Sequence, residues 1–276
     1  MPRGRDAQAP VSVVIPAWDE YAGEGLVQAV ESVRRQRVPV QLIVVDNASA
    51  VPLPRLDDAE LVRLEQRRST GAARNASLPL LQTPYVVFLD ADDRLLDGSL
   101  AALVAGLESD RRRATHTLAI VDAATGALHR TPRRLARALA TAPPLFALAN
   151  VIWSLLPTQG CTIMRVADVV SSGGYADASS GEDWVLGVSL SFRGRQSFEQ
   201  RAGLRYSQGA TSPGVRALPR VALLRNAARV RERIASDPCA PRHLRAQLGA
   251  IGALQWAAAC LAHPLYRSAR AALRRL

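Results

Sequence analysis

"YVVFLDADDRL", Tyr85–Leu95, runs from an apolar, β-branched stretch straight into three carboxylates, Asp90, Asp92 and Asp93. The apolar part has the length and composition of a strand buried on both faces, as in a parallel sheet. Like charges this close repel unless something positive sits among them. An Asp-x-Asp spacing at a strand end lets two carboxylates share a hard divalent cation, Mg²⁺ or Mn²⁺, which takes oxygen ligands and can bridge a diphosphate. The competing reading is that Asp92 and Asp93 solvate a turn and cap the next helix.

Outward from this stretch the chain alternates strand-like and helix-like segments. "VSVVIP" (Val11–Pro16), "VQLIVVD" (Val40–Asp46) and "LVRLE" (Leu61–Glu65) read as strands. "GEGLVQAVESVRRQ" (Gly23–Gln36) and Leu100–Glu108 have helical spacing, and "TGAARNASLPLLQ" (Thr70–Gln82) reads as the start of a helix. The alternation predicts an α/β fold of βαβ units around a parallel sheet, with ligands beyond the carboxyl ends of its strands. Asp46 and Asp90 both end strands and are therefore predicted to meet at one edge. "TLAIVDAATGALHR" (Thr117–Arg130) reads as a strand and hairpin, and "ALANVIWSLLPTQGCTIMR" (Ala147–Arg165) leads to a further strand.

Composition narrows the classes. With 276 residues, 48% of them apolar, the chain can bury a substantial core. Its three cysteines and four histidines are scattered without the spacing of a zinc site or redox dithiol, which predicts a reduced, cytoplasmic setting. The N-terminal residues 1–10 read as a disordered polar arm without the apolar core of a signal peptide. All 35 basic residues are arginine and the net charge is +11. That charge is uneven. Residues 1–200 hold 21 arginines against 22 acids, and residues 201–276 hold 14 against two.

Five segments occur in a telling order: "VSVVIPAWDE", "LIVVDNAS", "GAARNAS", "YVVFLDADD" and "SSGGYADASSGEDW". In this order and spacing the sequence resembles the family 2 glycosyltransferases, inverting enzymes with the GT-A type fold, over roughly residues 11–200. The resemblance implies a Rossmann-like central mixed sheet flanked by helices. It also implies transfer of one sugar from a nucleotide-diphosphate sugar, most simply a UDP-sugar, to an acceptor hydroxyl with Mg²⁺ or Mn²⁺ as cofactor.

Carried onto this chain, the resemblance places Pro16, Ala17 and Trp18 at the nucleotide base, with Glu20 nearby and Asp46 accepting hydrogen bonds from base or ribose. Trp18 could stack on a base or fill the core at a strand end, and Asp46 could instead be a turn aspartate. Arg74 suits a base edge or phosphate, or else pairs with Asp46 or Asp90 to hold the site's shape. Asp90, Ala91 and Asp92 match the donor-binding Asp-x-Asp, with Asp92 and Asp90 as metal ligands and Asp93 behind them. After the Gly173-Gly174-Tyr175 turn, Asp183 matches the general base, and Glu182 and Trp184 the acceptor-binding positions. Two departures stand out: Gln208 lies where many members carry a histidine loop, and the Gln-x-x-Arg-Trp motif of processive synthases is absent. The latter points to single-sugar transfer.

The domain boundaries are read as 11–213 for the glycosyltransferase domain and 214–276 for a basic helical C-terminal extension. "LPRVALLRNAARVRERIA" (Leu218–Ala235) has helical spacing, and Ala246–Tyr266 contains no charged residue. Gly249, Gly252, Gln255, His263 and Pro264 interrupt it, which argues against a membrane span. Packing, a homodimer contact, and peripheral attachment at the inner face of a membrane are the uses left open. The expected partners are a nucleotide-diphosphate sugar donor and a glycan or lipid-linked acceptor. A polyprenyl-phosphate acceptor is the alternative within the class. Binding to nucleic acid is not expected, since no groove-reading or ribonucleoprotein motif accompanies the arginines.

Overall fold

The computed structural model describes residues 9–129, 134–207 and 219–273. β1 (Val11–Ala17) is buried at all seven positions, as the β-branched run requires of a central strand. It lies parallel to β2 (Val40–Asp46) on one side and to β4 (Tyr85–Phe88) on the other, and β2 pairs in parallel with β3 (Glu60–Arg63) at the edge. Ala17 is opposite Asp46 in register. The carboxyl ends of these strands therefore share one edge of the sheet.

Beyond β4 the sheet changes direction. β8 (Thr162–Arg165) is antiparallel to both β4 and β6 (Arg113–Asp122), and β6 runs parallel to β9 (Arg195–Tyr206). β9 pairs with the two-residue β5 (Arg94–Leu95), and β7 (Leu128–His129) closes a hairpin on β6. Among the described residues this is one nine-stranded mixed sheet in the order β3-β2-β1-β4-β8-β6-β9-β5, with β7 beside β6. This is the mixed sheet flanked by helices that the resemblance implies; the alternation of strands and helices accounts only for its parallel half. β1 to β4 make the parallel part, as the alternation of strands and helices predicts, and β8, antiparallel to β4, begins the mixed part.

Helices cover both faces. α1 (Glu24–Arg34) buries Leu26, Ala29, Val30 and Val33 at helical spacing and, with α3 (Ser99–Glu108), packs on the face that presents Val13 and Ile15. Each leucine or valine so removed from water contributes roughly 1.5–3 kcal/mol. The other face, presenting Val14, Ile43 and Phe88, is covered by α5 (Pro143–Ile152), α6 (Val166–Ser171) and α7 (Glu182–Ser191). α4 (Arg134–Ala140) precedes α5. The helix read from Thr70 to Gln82 is shorter than expected. α2 spans Thr70–Asn75 and a single tight turn follows at Leu78–Leu80, because Pro79 cannot donate to a continuing helix.

α8 (Arg220–Ser236) and α10 (Leu248–Leu273), linked by α9 (Arg242–Ala246), form a third layer. Val230, Ile234, Leu244 and Ile251 share one apolar cluster with Trp184, Val185 and Val188 of α7. Arg193 donates to Asp237 in a buried ion pair at 2.7 Å, and Arg233 donates to the carbonyls of Ser172 and Gly174. The extension therefore shares a core with α7. The boundary read at 213/214 lies outside the described residues, as do Gln208 and most of the N-terminal arm. No described helix is long and apolar enough to cross a membrane.

Candidate active site

A cleft of about 510 Å³ opens at the carboxyl edge of β1, β2 and β4. Its walls come from the β1 exit, the loop before α2, the acidic turn after β4, the end of β9 and the N-terminus of α7. Segments far apart in sequence meet there because the parallel strands end together.

The nucleotide-side wall begins with Pro16 and Trp18. Trp18 is half-buried and lines the cleft rather than filling the core. Its indole N–H donates to Glu20 at 3.1 Å, Tyr21 packs edge-on against it, and the Arg67 guanidinium lies 4.8 Å over its ring. Arg67 also pairs with Asp19 at 3.6 Å. Asn47 reaches across to the backbone of Arg68, donating to its carbonyl at 2.9 Å and accepting from its N–H at 2.8 Å. This exchange fixes the loop that carries both arginines.

Ala17 and Asp46 do not line the cleft. Ala17 is fully buried, and its carbonyl accepts the Asn47 N–H at 2.9 Å. The Asp46 carboxylate is turned inward, accepting from the Ser49 N–H at 2.9 Å and from Arg63. The turn reading of Asp46 is the one the geometry has, because the chain reverses right after β2 and its amides need an acceptor.

Arg74 is the centre of the site. Its side chain is 3% exposed, yet one terminal nitrogen donates to Asp90 at 2.6 Å and the other to Glu182 at 2.8 Å. Burial opposes its charge, but Asp90 and Glu182 hold the guanidinium protonated and its pKa is raised. Tyr175 lies beneath it, 5.1 Å from ring centre to guanidinium. The fork is thus spent on two carboxylates rather than held open for a phosphate. α2 brings Arg74 this close because Gly71 lies against the Ala176 carbonyl. A Cβ there would come within 1.9 Å of that oxygen. Ser69 starts the helix, its hydroxyl accepting from the Ala72 N–H at 3.2 Å.

In the acidic turn the three carboxylates have different surroundings. Asp90 is tied to Arg74. Asp93 is buried and accepts the Ser207 N–H at 2.9 Å, with its pKa raised by burial first and by Asp90 second. Asp92 lines the cleft half-buried and is pushed up to about 6 by burial and by Asp90. Tyr206 stands beside them, its hydroxyl pushed up to about 12 by burial and the three acids. A turn that only solvated its own backbone would not force carboxyls together at this cost. Carboxyl oxygens gathered in a partly buried turn, protonated more readily than usual despite Arg94 nearby, fit a hard divalent cation. Among the described residues no three acidic, histidine or cysteine side chains form a closed cage, so such an ion would complete its shell with water or ligand oxygens.

Opposite stand Glu182 and Asp183 at the start of α7, after Gly181 with φ +72°. Burial raises the Asp183 pKa, while the Trp184 N–H, Arg74 and the Gln159 side chain work the other way. The N–H contact is 2.8 Å. Trp184, expected at the acceptor, points elsewhere. One residue along the helix turns it about 100° away from Asp183. It is buried among α5 and α8 side chains, with its indole N–H donated to the Asn150 carbonyl. Arg67, Arg68, Gln159 and Tyr206 line the cleft without having been picked out from the sequence. In a chain with 35 arginines an adjacent pair carries no signal, and Gln159 and Tyr206 sit in no motif.

Comparisons with known proteins agree with this fold. The Glycosyl transferase family 2 model matches residues 12–158. The succinoglycan biosynthesis proteins ExoO and ExoU of Rhizobium meliloti (strain 1021) are each 30% identical, over 110 and 107 residues. Those matches cover 37% and 36% of this chain but only 31% of either relative, so the chain matches about a third of their length. S. aureus TarS 1–349 in complex with UDP-GlcNAc superposes with a TM-score of 0.64 at 15% identity, over 86% of this chain and 70% of that one. The mannosyltransferase PcManGT from Pyrobaculum calidifontis, in complex with GDP-Man and Mn²⁺, does so at 0.62 and 19% identity, over 98% and 76%. By its fold and by the family match over more than half its length, the chain belongs to glycosyl transferase family 2.

Proposed function

We propose that the protein transfers one sugar from a nucleotide-diphosphate sugar, most simply a UDP-sugar, to an acceptor hydroxyl with inversion. The observation that carries this is the meeting, in one cleft, of an aromatic wall at Trp18, an under-compensated acidic turn at Asp90–Asp93, and a raised carboxyl at Asp183. Trp18 stacks on the base. Arg67 and Arg68 bring positive charge to the donor side. Asp92, with the second oxygen of Asp90, would hold Mg²⁺ or Mn²⁺, which would supply neutralisation for a departing diphosphate. Asp183 accepts the proton of the acceptor hydroxyl while that oxygen bonds to the anomeric carbon and the carbon–diphosphate bond breaks. Glu182, anchored to Arg74, shapes the acceptor side. A glycan or lipid-linked acceptor suits this scheme, and the kinship with succinoglycan biosynthesis proteins supports an envelope or secreted glycan as its destination. A polyprenyl-phosphate acceptor would need no base, so a carboxyl placed in the cleft at Asp183 favours the hydroxyl.

The test is a thermal-shift panel of UDP, dTDP and GDP sugars with and without Mn²⁺. A cognate donor at a hundred times its Kd stabilises the fold by about 2.7 kcal/mol. A rise in Tm is expected with a UDP-sugar plus Mn²⁺. No shift with any of these nucleotide sugars, with Mn²⁺ or with Mg²⁺ in its place, sinks the proposal.

The acidic turn makes a separate prediction. Asp92→Ala should abolish the metal-dependent part of donor affinity, whereas Asp93→Ala should spare it and instead weaken the fold by removing the acceptor for Ser207. Because Asp92 is protonated more readily than an ordinary aspartate, that metal-dependent affinity should also fall as pH drops through about 6. Titration calorimetry of UDP with and without Mn²⁺ checks both. Equal losses in the two variants would mean that the wrong carboxylate has been assigned.

A further inference from the structure

The C-terminal helix α10 has two unlike sides. Ile251, Gln255 and Ala259 recur every fourth residue and are buried against α8 and α5, with Gln255 accepting from Arg231 and donating to the Val151 carbonyl at 2.8 Å. The rest of its circumference presents Ala250 and Ala253 to solvent, with Leu254, 55% exposed, at one edge of this broad arc and Trp256, 58% exposed, at the other. Single exposed apolar residues are ordinary. Here they sit within 21 consecutive residues, 246–266, that contain no charge, bounded by Arg245 and Arg267. Around this helix the acids are nearly gone. Residues 201–276 hold only Glu232 and Asp237, and Asp237 is already consumed by Arg193. Arg220, Arg225 and Arg242 are exposed on α8 and α9.

We propose that the Leu254–Trp256 face of α10 is a docking surface for an anionic lipid bilayer, on which the helix lies in the interface plane. An apolar face bearing a tryptophan, in a C-terminal stretch (residues 201–276) that holds 14 arginines against two acids, matches a surface whose interior is apolar and whose headgroups are negative. The helix is too interrupted to span. A second copy is the less suitable occupant, since two such faces would bring two strongly basic units together.

The test is co-sedimentation of the full chain with vesicles of equal parts phosphatidylglycerol and phosphatidylcholine, and with pure phosphatidylcholine. Binding is expected to the anionic vesicles and to weaken at high salt. Arg242→Gln should reduce it about fivefold, as fits one interfacial charge. The double variant Leu254→Glu, Trp256→Glu should reduce it more than about tenfold, since it puts charge where apolar area inserts. Both side chains are exposed, so the thermal midpoint of the double variant should stay close to that of the parent. Full-length protein left in the supernatant with anionic vesicles at low salt overturns the proposal. So does vesicle binding unchanged in the double variant, or a dimer in sedimentation velocity that the double variant dissolves while vesicles capture nothing.

Discussion

Asp183→Asn is expected to lower turnover by roughly 10²–10⁴-fold while leaving donor and metal binding nearly intact, the range usual for a positioned general base. The substitution is nearly isosteric. The amide oxygen can still accept the Trp184 N–H, so the start of α7 should hold and only proton transfer is lost. The wild-type pH profile bears on the same residue. A base works when deprotonated, and burial raises the Asp183 pKa, so turnover should fall as pH drops through a value above the ordinary aspartate range. In the variant that acid limb should vanish from the residual rate. Near wild-type turnover, or an unchanged limb, would remove Asp183 from the chemistry and bring the phosphate-acceptor reading forward.

Arg74→Ala is expected to cost about 3–5 kcal/mol of folding stability, the usual penalty for stripping the partner from a buried charge. Two carboxylates, Asp90 and Glu182, would lose their shared counter-ion, and the guanidinium's packing on Tyr175 would be lost as well. The deficit should depend on pH in a defined direction. Burial already raises the Glu182 pKa against the pull of Arg74, and without the arginine it rises further. A folded-state pKa raised above the unfolded value means that the folded form gains relative stability as pH falls towards the unfolded value. The variant should therefore be most impaired near neutrality and recover part of its loss in mild acid. Denaturant unfolding at two pH values measures this. A loss below about 1 kcal/mol at neutral pH, typical of an exposed pair, would contradict the buried arrangement.

The parts legible from sequence are those whose chemistry and backbone position coincide. A strand that ends in Asp90-Ala91-Asp92-Asp93 must deliver those acids to the sheet edge, and Glu182-Asp183 directly after Gly181 are placed to open a helix. Asp46 ends a strand just as Asp90 does. Its inward turn depends on Arg63, 17 residues on, which no local pattern reveals. Trp184 is a similar case. Whether it faces the cleft or the core is decided by α5 and α8, and α8 begins 36 positions later in the chain. The sequence leaves both uses of Arg74 open. The geometry resolves in favour of pairing because Asp90 and Glu182, 16 and 108 residues away, arrive on either side of one guanidinium.

Gly181 and Asn226 touch so closely that a Cβ at 181 would lie 2.4 Å from the asparagine side chain, and the Asn226 amide reaches Ser180 at 3.5 Å. The loop that presents Asp183 is thus moulded against α8. Anyone recombining this chain with a relative to borrow a new acceptor preference has to treat the stretch around 176–191 and the helix 220–236 as one heritable cassette. Swapping either alone sets a foreign side chain against a loop with no slack to receive it.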